Sequence, residues 1–336
     1  MRLWIIGFLM IVIGSVATVG VREYYLANLG PVSNSQTQVV LTIPAGASLK
    51  QIAIMLQNHH LIRSATVFEW YTHVTGNNKL EAGTYSLSPS YDLSKTVAII
   101  VSGSVTEGKV TILPGKTLAQ IRSQLINDGY SAASIDQSYN PAQYSGLPIM
   151  ADVPSGTSTL EGLLFPDTFY TTNKTTVSQI LRESLLEMGK QITPAISADF
   201  ANEGLSVYQA ITMASIIQQE VSKPNDMAQV AQVFFSRIKQ GMPLGSDVTA
   251  NYGAIINGQS PSLTYDSPYN TLIHTGLPPT PIGTASRESL NAVAHPANTN
   301  WLYFVSGDNG HTYFEQTIQQ HNADTAAYCH KLCAQP

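Results

Sequence analysis

The chain has 336 residues, a length that predicts about two domains. With 17 Lys and Arg against 22 Asp and Glu the formal charge is −5, which argues against a nucleic-acid binder. Charged residues make up only 12%, well under the usual share of about 25%, a composition compatible with a neutral, hydroxyl-rich ligand. Aromatic and β-branched residues run along the whole chain, so general disorder is excluded. A chain this long can bury a core without needing its two cysteines as staples.

Residues Leu3–Val21 carry no charge and lie between Arg2 and Arg22. At about 1.5 Å per residue a helix of that run approaches the roughly 30 Å of a bilayer core. Two readings compete, a cleaved signal peptide and a retained signal anchor. Ser15-Val16-Ala17 resembles a cleavage site, but the run exceeds the roughly 7–15 residues of a signal-peptide core. The anchor is favoured, with 1–22 as the anchoring segment. Everything after Arg22 would then be exported, and no later segment is long and apolar enough to cross. The expected location is the cell membrane, single-pass, with the bulk outside the cytoplasm.

Gly30-Pro31, Ser33, Asn34 and Ser35 give 23–38 linker composition. Val39–Ile43 reads as a strand. Ser48 and Gln51 form a capping box that opens a helix carrying Leu49, Ile52, Ala53 and Leu56. A second helix is predicted over Ser64–Val74, with Val67, Phe68, Tyr71 and Val74 on its inner side. Ala82–Leu87 alternates as a strand, and Asp92–Val101 reads as a third helix. Ile43, Gly46, Ser48, Leu49, Gln51, Ile52 and Leu56 recur 69 residues later as Ile112, Gly115, Thr117, Leu118, Gln120, Ile121 and Leu125. Duplication and a generic strand–turn–helix unit are both open readings of that echo.

Asp128–Thr159 is rich in Ser, Pro, Gly and Tyr and reads as surface loops. Helices are predicted over Val177–Met188, Val207–Val221 and Asp226–Lys239, the last stopped by Gly241. Pro/Gly-rich loops follow, then a strand at Trp301–Ser306 and a helix over Thr317–Cys333. Cys329 and Cys333 are four apart, a spacing that a disulfide can span but that straight helical geometry would strain.

Glu220 ends the run Ile211-Thr-Met-Ala-Ser-Ile-Ile-Gln-Gln-Glu220. Its helical neighbours are Ile217, Ile216 and Met213, so the carboxyl lies along the apolar stripe. Desolvation there favours the neutral acid, the form that glycosidic cleavage requires of a proton donor. The competing reading has the helix fray before Pro224, with Glu220 on the surface beside Lys223. None of the eight histidines forms a His-x-x-x-His pair with a carboxylate partner, so a metal site is not expected.

Met213-Ala-Ser-Ile-Ile-Gln-Gln-Glu220, Val233-Phe-Phe-Ser-Arg-Ile238 and Gly241-Met-Pro-Leu244 together resemble the core signature of the endolytic murein transglycosylases, the YceG-like family. Matching segments flank it in order: Leu160-Glu-Gly-Leu-Leu-Phe-Pro-Asp-Thr-Phe-Tyr170 upstream, then Ser246-Asp247, Tyr252-Gly253, Tyr269-Asn-Thr271, Gly276-Leu-Pro-Pro279, Ala294-His-Pro296, Tyr303-Phe-Val305, Gly310-His311 and His321-Asn322. The resemblance covers about 39–325 and rests on the ordered set.

It implies an α+β chain: an N-terminal transmembrane helix, a small LysM-like subdomain at 39–106 and a larger catalytic domain at 107–336 facing the cell wall. It implies that Glu220 is the catalytic acid of a lytic transglycosylase, which needs neither metal nor cofactor. Such an enzyme cuts the MurNAc–GlcNAc bond of peptidoglycan strands and leaves 1,6-anhydro ends, beside peptidoglycan synthases as possible partners. Glu161, Asp247, Tyr269, Asn270 and Thr271 become candidates for contact with sugar; for Glu161 and neighbouring Asp167, capping the following turn is the alternative, and for 269–271 turn chemistry is. The chain departs from the family at Gln218, where a Glu is common, at Gly245, where Leu-Gln precedes the Ser-Asp segment, and at Gly283-Thr-Ala285 in place of Asn-Pro-Gly. A non-catalytic wall-binding scaffold and a water-using muramidase are the alternatives, the latter needing a second carboxylate from Glu161 or Asp247.

Overall fold

A computed structural model describes residues 20–77, 79–103, 108–172 and 175–334. The apolar run 3–21 lies outside the described residues except for its last two positions. Residues 20–27 are helical (α1), from the end of the expected anchor at 1–22 into the start of the expected linker at 23–38. Among the described residues no helix is long and apolar enough to cross a membrane. The fold is mixed α+β with two-stranded sheets. The chain divides into two compact units: the described residues up to Lys109 with those of Tyr170–Thr175, and Val110–Phe169 with the described residues from Thr176 on.

In the first unit β1 (Val39–Ile43) pairs antiparallel with β2 (Gly83–Leu87), Leu41 opposite Tyr85. Between them run α2 (Leu49–Asn58), opened by the Ser48/Gln51 capping box, and α3 (Ala65–Thr75), capped by Ser64 and ended by left-handed Gly76. After β2 comes α4 (Leu93–Val101), capped by Asp92. The core holds Leu41, Ile52, Leu56, Phe68, Tyr85, Val97 and Ile100. Burying each such side chain contributes roughly 1.5–3 kcal/mol. Val74 departs from the predicted inner face: it is 81% exposed, while Thr72 turns inward one helical turn after Phe68.

Strands β3 (Gly108–Thr111) and β4 (Thr168–Thr171) pair, and within the second unit Ile112 N–H donates to Asp167 O at 2.9 Å. Helix α5 (Leu118–Asn127) follows a turn at Gly115 (φ 74°) and opens with the Thr117/Gln120 capping box. The echoed segments thus fold alike locally, since Gly46 (φ 79°) and the Ser48/Gln51 box stand at the same points of the first copy.

Residues 128–159, read as loops, hold α6 (Ala132–Ser138) and 3-10 turns at Pro141–Tyr144 and Pro148–Asp152. Their isolated apolar residues Ile135, Tyr144, Leu147 and Ile149 are all buried, in elements too short to show a periodicity. The remaining helices are α7 (Val177–Gln191), α8 (Pro194–Asn202), α9 (Val207–Glu220), α10 (Pro224–Lys239), α11 (Asp247–Ile256) and α12 (Arg287–Ala294). Of these, α8, α11 and α12 had no predicted counterpart. Strands β5 (Tyr303–Ser306) and β6 (Thr312–Glu315) form a hairpin, β6 also beyond the predictions, and α13 (Ile318–Tyr328) packs against both.

The last helix is shorter than Thr317–Cys333. Cys329 caps it in a non-helical conformation, which frees the chain to turn back and bond Cys333. Three backbone N–H groups of that turn, at His330, Lys331 and Leu332, converge on the Asp308 carboxylate.

Candidate active site

Helix α9 is buried nearly all round. Every residue from Val207 to Ile217 except Gln209 is inside, so it is a central helix rather than an amphipathic surface one. Its buried hydroxyls are satisfied locally: Thr212 donates to Tyr208 O at 2.8 Å, and Ser215 donates to Thr212 O at 2.7 Å while accepting from Ile282 N.

The helix holds through Glu220, its last residue; Val221 is already extended, and Pro224, with no N–H and a ring that would clash with the Glu220 carbonyl, could not continue it. Lys223 does not pair with Glu220; its ammonium donates to Gly310 O at 2.6 Å. Glu220 is half-buried, and its carboxyl is pushed up to about 7. Desolvation is the main cause; the Ser246 hydrogen bond and Arg237 pull the other way, and the charge of Asp247 adds to the rise. A helix C-terminus also disfavours a negative charge there.

Ser246, which is 1% exposed, donates its hydroxyl to Glu220 Oε1 at 2.5 Å. It stands at the N-cap position of α11, yet its side chain caps nothing. Its backbone is held on both sides: its N–H donates to Thr271 Oγ1 at 3.2 Å, and its carbonyl accepts from Thr249 Oγ1 at 2.7 Å. With the Thr249 proton so placed, Thr271 must donate to Thr249 across the 2.7 Å between their hydroxyls.

Behind this strap Arg237 donates from Nη1 to Leu244 O and from Nε to Leu302 O, both at 2.7 Å, with its guanidinium 5.2 Å from the Tyr303 ring centre. The opposite edge of α9 is tied by Gln219, donating to Ile282 O at 3.0 Å, and Gln218, accepting from Ser286 N at 3.3 Å. Thr284 in turn pairs with Gly115 and Lys116, in the turn ahead of α5.

The predicted site residues fall into distinct places. Asp247, first residue of α11, is exposed and close enough for its charge to act on Glu220; partial desolvation pushes its own carboxyl up too. Thr271 is buried and belongs to the Ser246 strap. Asn270 is fully buried, its amide nitrogen donating to Leu263 O and Tyr265 O and its oxygen accepting from Leu272 N, which closes its own loop. Tyr269 bonds Thr280 Oγ1 at 2.8 Å and packs edge-on against Tyr252.

Glu161 is 6% exposed and lies under the N-terminus of α5, accepting from Leu118 N at 3.0 Å and from the Tyr252 hydroxyl at 3.2 Å. Burial pushes it, too, up to about 7. Its oxygens are taken by the fold rather than turned to solvent. Asp167 is exposed and accepts from Thr168 N. His295 approaches Asp199, and His321 approaches Glu315 and stacks on Tyr303. Among the described residues no group of three His, Cys, Asp or Glu is placed to hold a metal.

Two residues near Glu220 have no role predicted from the sequence: Ser246, which bonds its carboxyl, and Arg237, whose charge acts on it. For Arg237 the signal was there: it follows Val230, Val233 and Phe234 on the buried stripe of α10, a charge on an apolar face like Glu220.

Residues 41–327 match the YceG-like family. The chain belongs to that family. Among similar proteins, an endolytic murein transglycosylase of Bacillus subtilis (strain 168) is 30% identical over 92% of this chain and 90% of its own length. One of Streptococcus pneumoniae serotype 2 is 27% identical over 91% of this chain, which spans 61% of that longer relative. The crystal structure of a yceG-like protein from Listeria monocytogenes superposes with a TM-score of 0.56 at 29% identity, covering 86% of this chain and 99% of that one. In this YceG-like chain Gln218 supplies an acceptor to Ser286, so an amide suffices at that point. Gly245 is left-handed (φ +68°), and a Cβ there would overlap Arg237 Nη1.

Proposed function

We propose that the protein is a peptidoglycan lytic transglycosylase that cuts within glycan strands, with Glu220 as both acid and base. The observation that carries this is one carboxyl at the end of a buried helix, raised to about 7 and held by a buried hydroxyl at 2.5 Å. Near neutral pH such a group exists in both protonation states, which one residue needs in order to give a proton and later take one.

Glu220 protonates the oxygen leaving C1 of N-acetylmuramic acid, and the glycosidic bond breaks. The acetamido oxygen of the same sugar stabilises the positive charge at C1. Glu220, now a carboxylate, accepts the proton of that sugar's 6-hydroxyl as its oxygen bonds to C1. A 1,6-anhydro end forms, no water is consumed, and Glu220 regains its proton. Of the five expected sugar-binding residues we assign direct contact to exposed Asp247. Glu161, Tyr269, Asn270 and Thr271, already bonded within the fold, shape the walls.

A second reading is favoured by one observation, the nearness of Asp247: a second carboxylate that acts on Glu220 is what water-using hydrolysis needs. Mass spectrometry of ends released from uncrosslinked strands separates the two. Transglycosylation gives ends lighter by one water than hydrolysis does, and Asp247→Asn should leave those anhydro ends in place. Hydrolysed ends from the wild type, lost in Asp247→Asn, would move the protein to the muramidase reading.

We further infer that 3–21 anchor the chain in the cytoplasmic membrane with the remainder outside, within reach of nascent strands and the synthases that make them. The β1–α2–α3–β2 order of the first unit supports a LysM-like subdomain. A reporter active only in the cytoplasm should be silent when fused after Pro336; a signal from it would reject this topology.

A further inference from the structure

The Leu244–Ser246 segment is gripped from behind by a side chain the mechanism above does not use. Arg237 reaches from α10 with two donors to two separate carbonyls, Leu244 O and Leu302 O, both at 2.7 Å. The next residue, Gly245, is left-handed, and its open face is filled by the guanidinium, so any side chain there would displace Nη1. Gly245 N–H is tied to Thr271 O at 2.9 Å. One residue on stands Ser246, whose hydroxyl meets Glu220 Oε1 at 2.5 Å.

We infer that Arg237 is a positioning residue for the acid: by clamping the carbonyl of Leu244 across a glycine that alone fits there, it fixes the Ser246 hydroxyl on Glu220. The inference rests on Glu220 being the acid. It also accounts for Gly245, one of the three points at which this chain leaves the family pattern. The guanidinium occupies the space a larger residue would need. A lysine keeps the charge but cannot span both carbonyls in a fixed fork.

The charged groups facing Glu220 are Arg237 from α10 and Asp247 from α11; His321 of α13 faces Arg237. The Ser246 bond favours the ionised carboxyl, so loosening it should move the Glu220 limb of the pH–rate profile upward. The test compares kcat, KM and that limb in the full-length protein for Arg237→Lys, Gly245→Ala, Ser246→Ala and the Arg237→Lys/Ser246→Ala pair, with Glu220→Gln alongside.

Arg237→Lys should lower kcat by about 10- to 100-fold, the cost typical of a misplacement near 1 Å. KM should change little, and the limb should rise. Gly245→Ala, which leaves the arginine itself intact, should do the same. In the double variant the losses should not multiply, because both act on one hydrogen bond. The inference is overturned if Arg237→Lys and Gly245→Ala keep wild-type kcat and pH limb, if they only lower Tm, or if the pair's losses multiply. Full activity in Glu220→Gln would instead remove the reading beneath it.

Discussion

Glu220→Gln should abolish strand cleavage while leaving the fold intact. General acid–base catalysis by one side chain is worth about 10²–10⁴ in rate. Here the same group must both deliver and retrieve the proton, so the loss should approach the upper end. The substitution is otherwise gentle. An amide keeps the shape and can still accept from Ser246 Oγ, now bonded at 2.5 Å. It cannot ionise, so it also removes the cost of placing charge beside Ile216 and Ile217 at a helix C-terminus.

The acid's place in the pH profile follows from its environment. With its carboxyl raised to about 7, wild-type activity should fall as pH rises through neutrality and the donor is lost. Any residual rate in Glu220→Gln should show no such limb. Circular dichroism and a thermal melt check folding; mass spectrometry of released ends checks activity. A variant that cuts strands at the wild-type rate would reject Glu220 as the acid, whatever its surroundings.

Glu220 stands out in the sequence because a carboxylate falls on the apolar stripe of a helix, and its half-buried place at the end of α9 agrees with that pattern. Capping boxes were legible for the same local reason: Ser48/Gln51 and Thr117/Gln120 act within four residues. What was hidden depends on distant partners. Helix α11 lacks a side-chain cap because Ser246 turns its hydroxyl to Glu220. Helix α12 is amphipathic, burying Ser289, Leu290, Ala292, Val293 and Ala294, but its eight residues are too few for the pattern to stand out among Pro/Gly-rich loops. Asn270 and Glu161 looked like ligands for sugar because polar residues in motif-bearing loops often are. Only coordinates reveal that Asn270 closes its own loop and that Glu161 sits under α5.

The motif around Glu161 makes a second large effect expected, at its neighbour Gly162. That glycine is left-handed (φ +71°), and a Cβ added to it would overlap the Pro281 side chain, with Pro281 Cγ at 2.7 Å and Gly283 O at 3.1 Å. Neither obstacle can swing away, since one is a proline ring and the other backbone. Left-handed geometry costs an ordinary residue about 1–2 kcal/mol, and overpacking a tight site about 1–3 more. Gly162→Ala should therefore destabilise by roughly 2–5 kcal/mol, or about 4–20 °C in Tm for a unit of this size.

The damage should also reach the acid. Between Pro281 and Gly283 lies Ile282, whose N–H donates to Ser215 Oγ and whose carbonyl accepts from Gln219, the residue before Glu220. Displacing that loop disturbs the last turn of α9, so kcat should fall even well below the melting temperature. Gly258→Ala is the matched control, because Gly258 has φ +73° but open space around it. It should show the backbone cost alone, with wild-type kcat. If the two variants melt together and cut strands equally well, close packing of the 281–283 loop on Gly162 is not what holds this edge of the site.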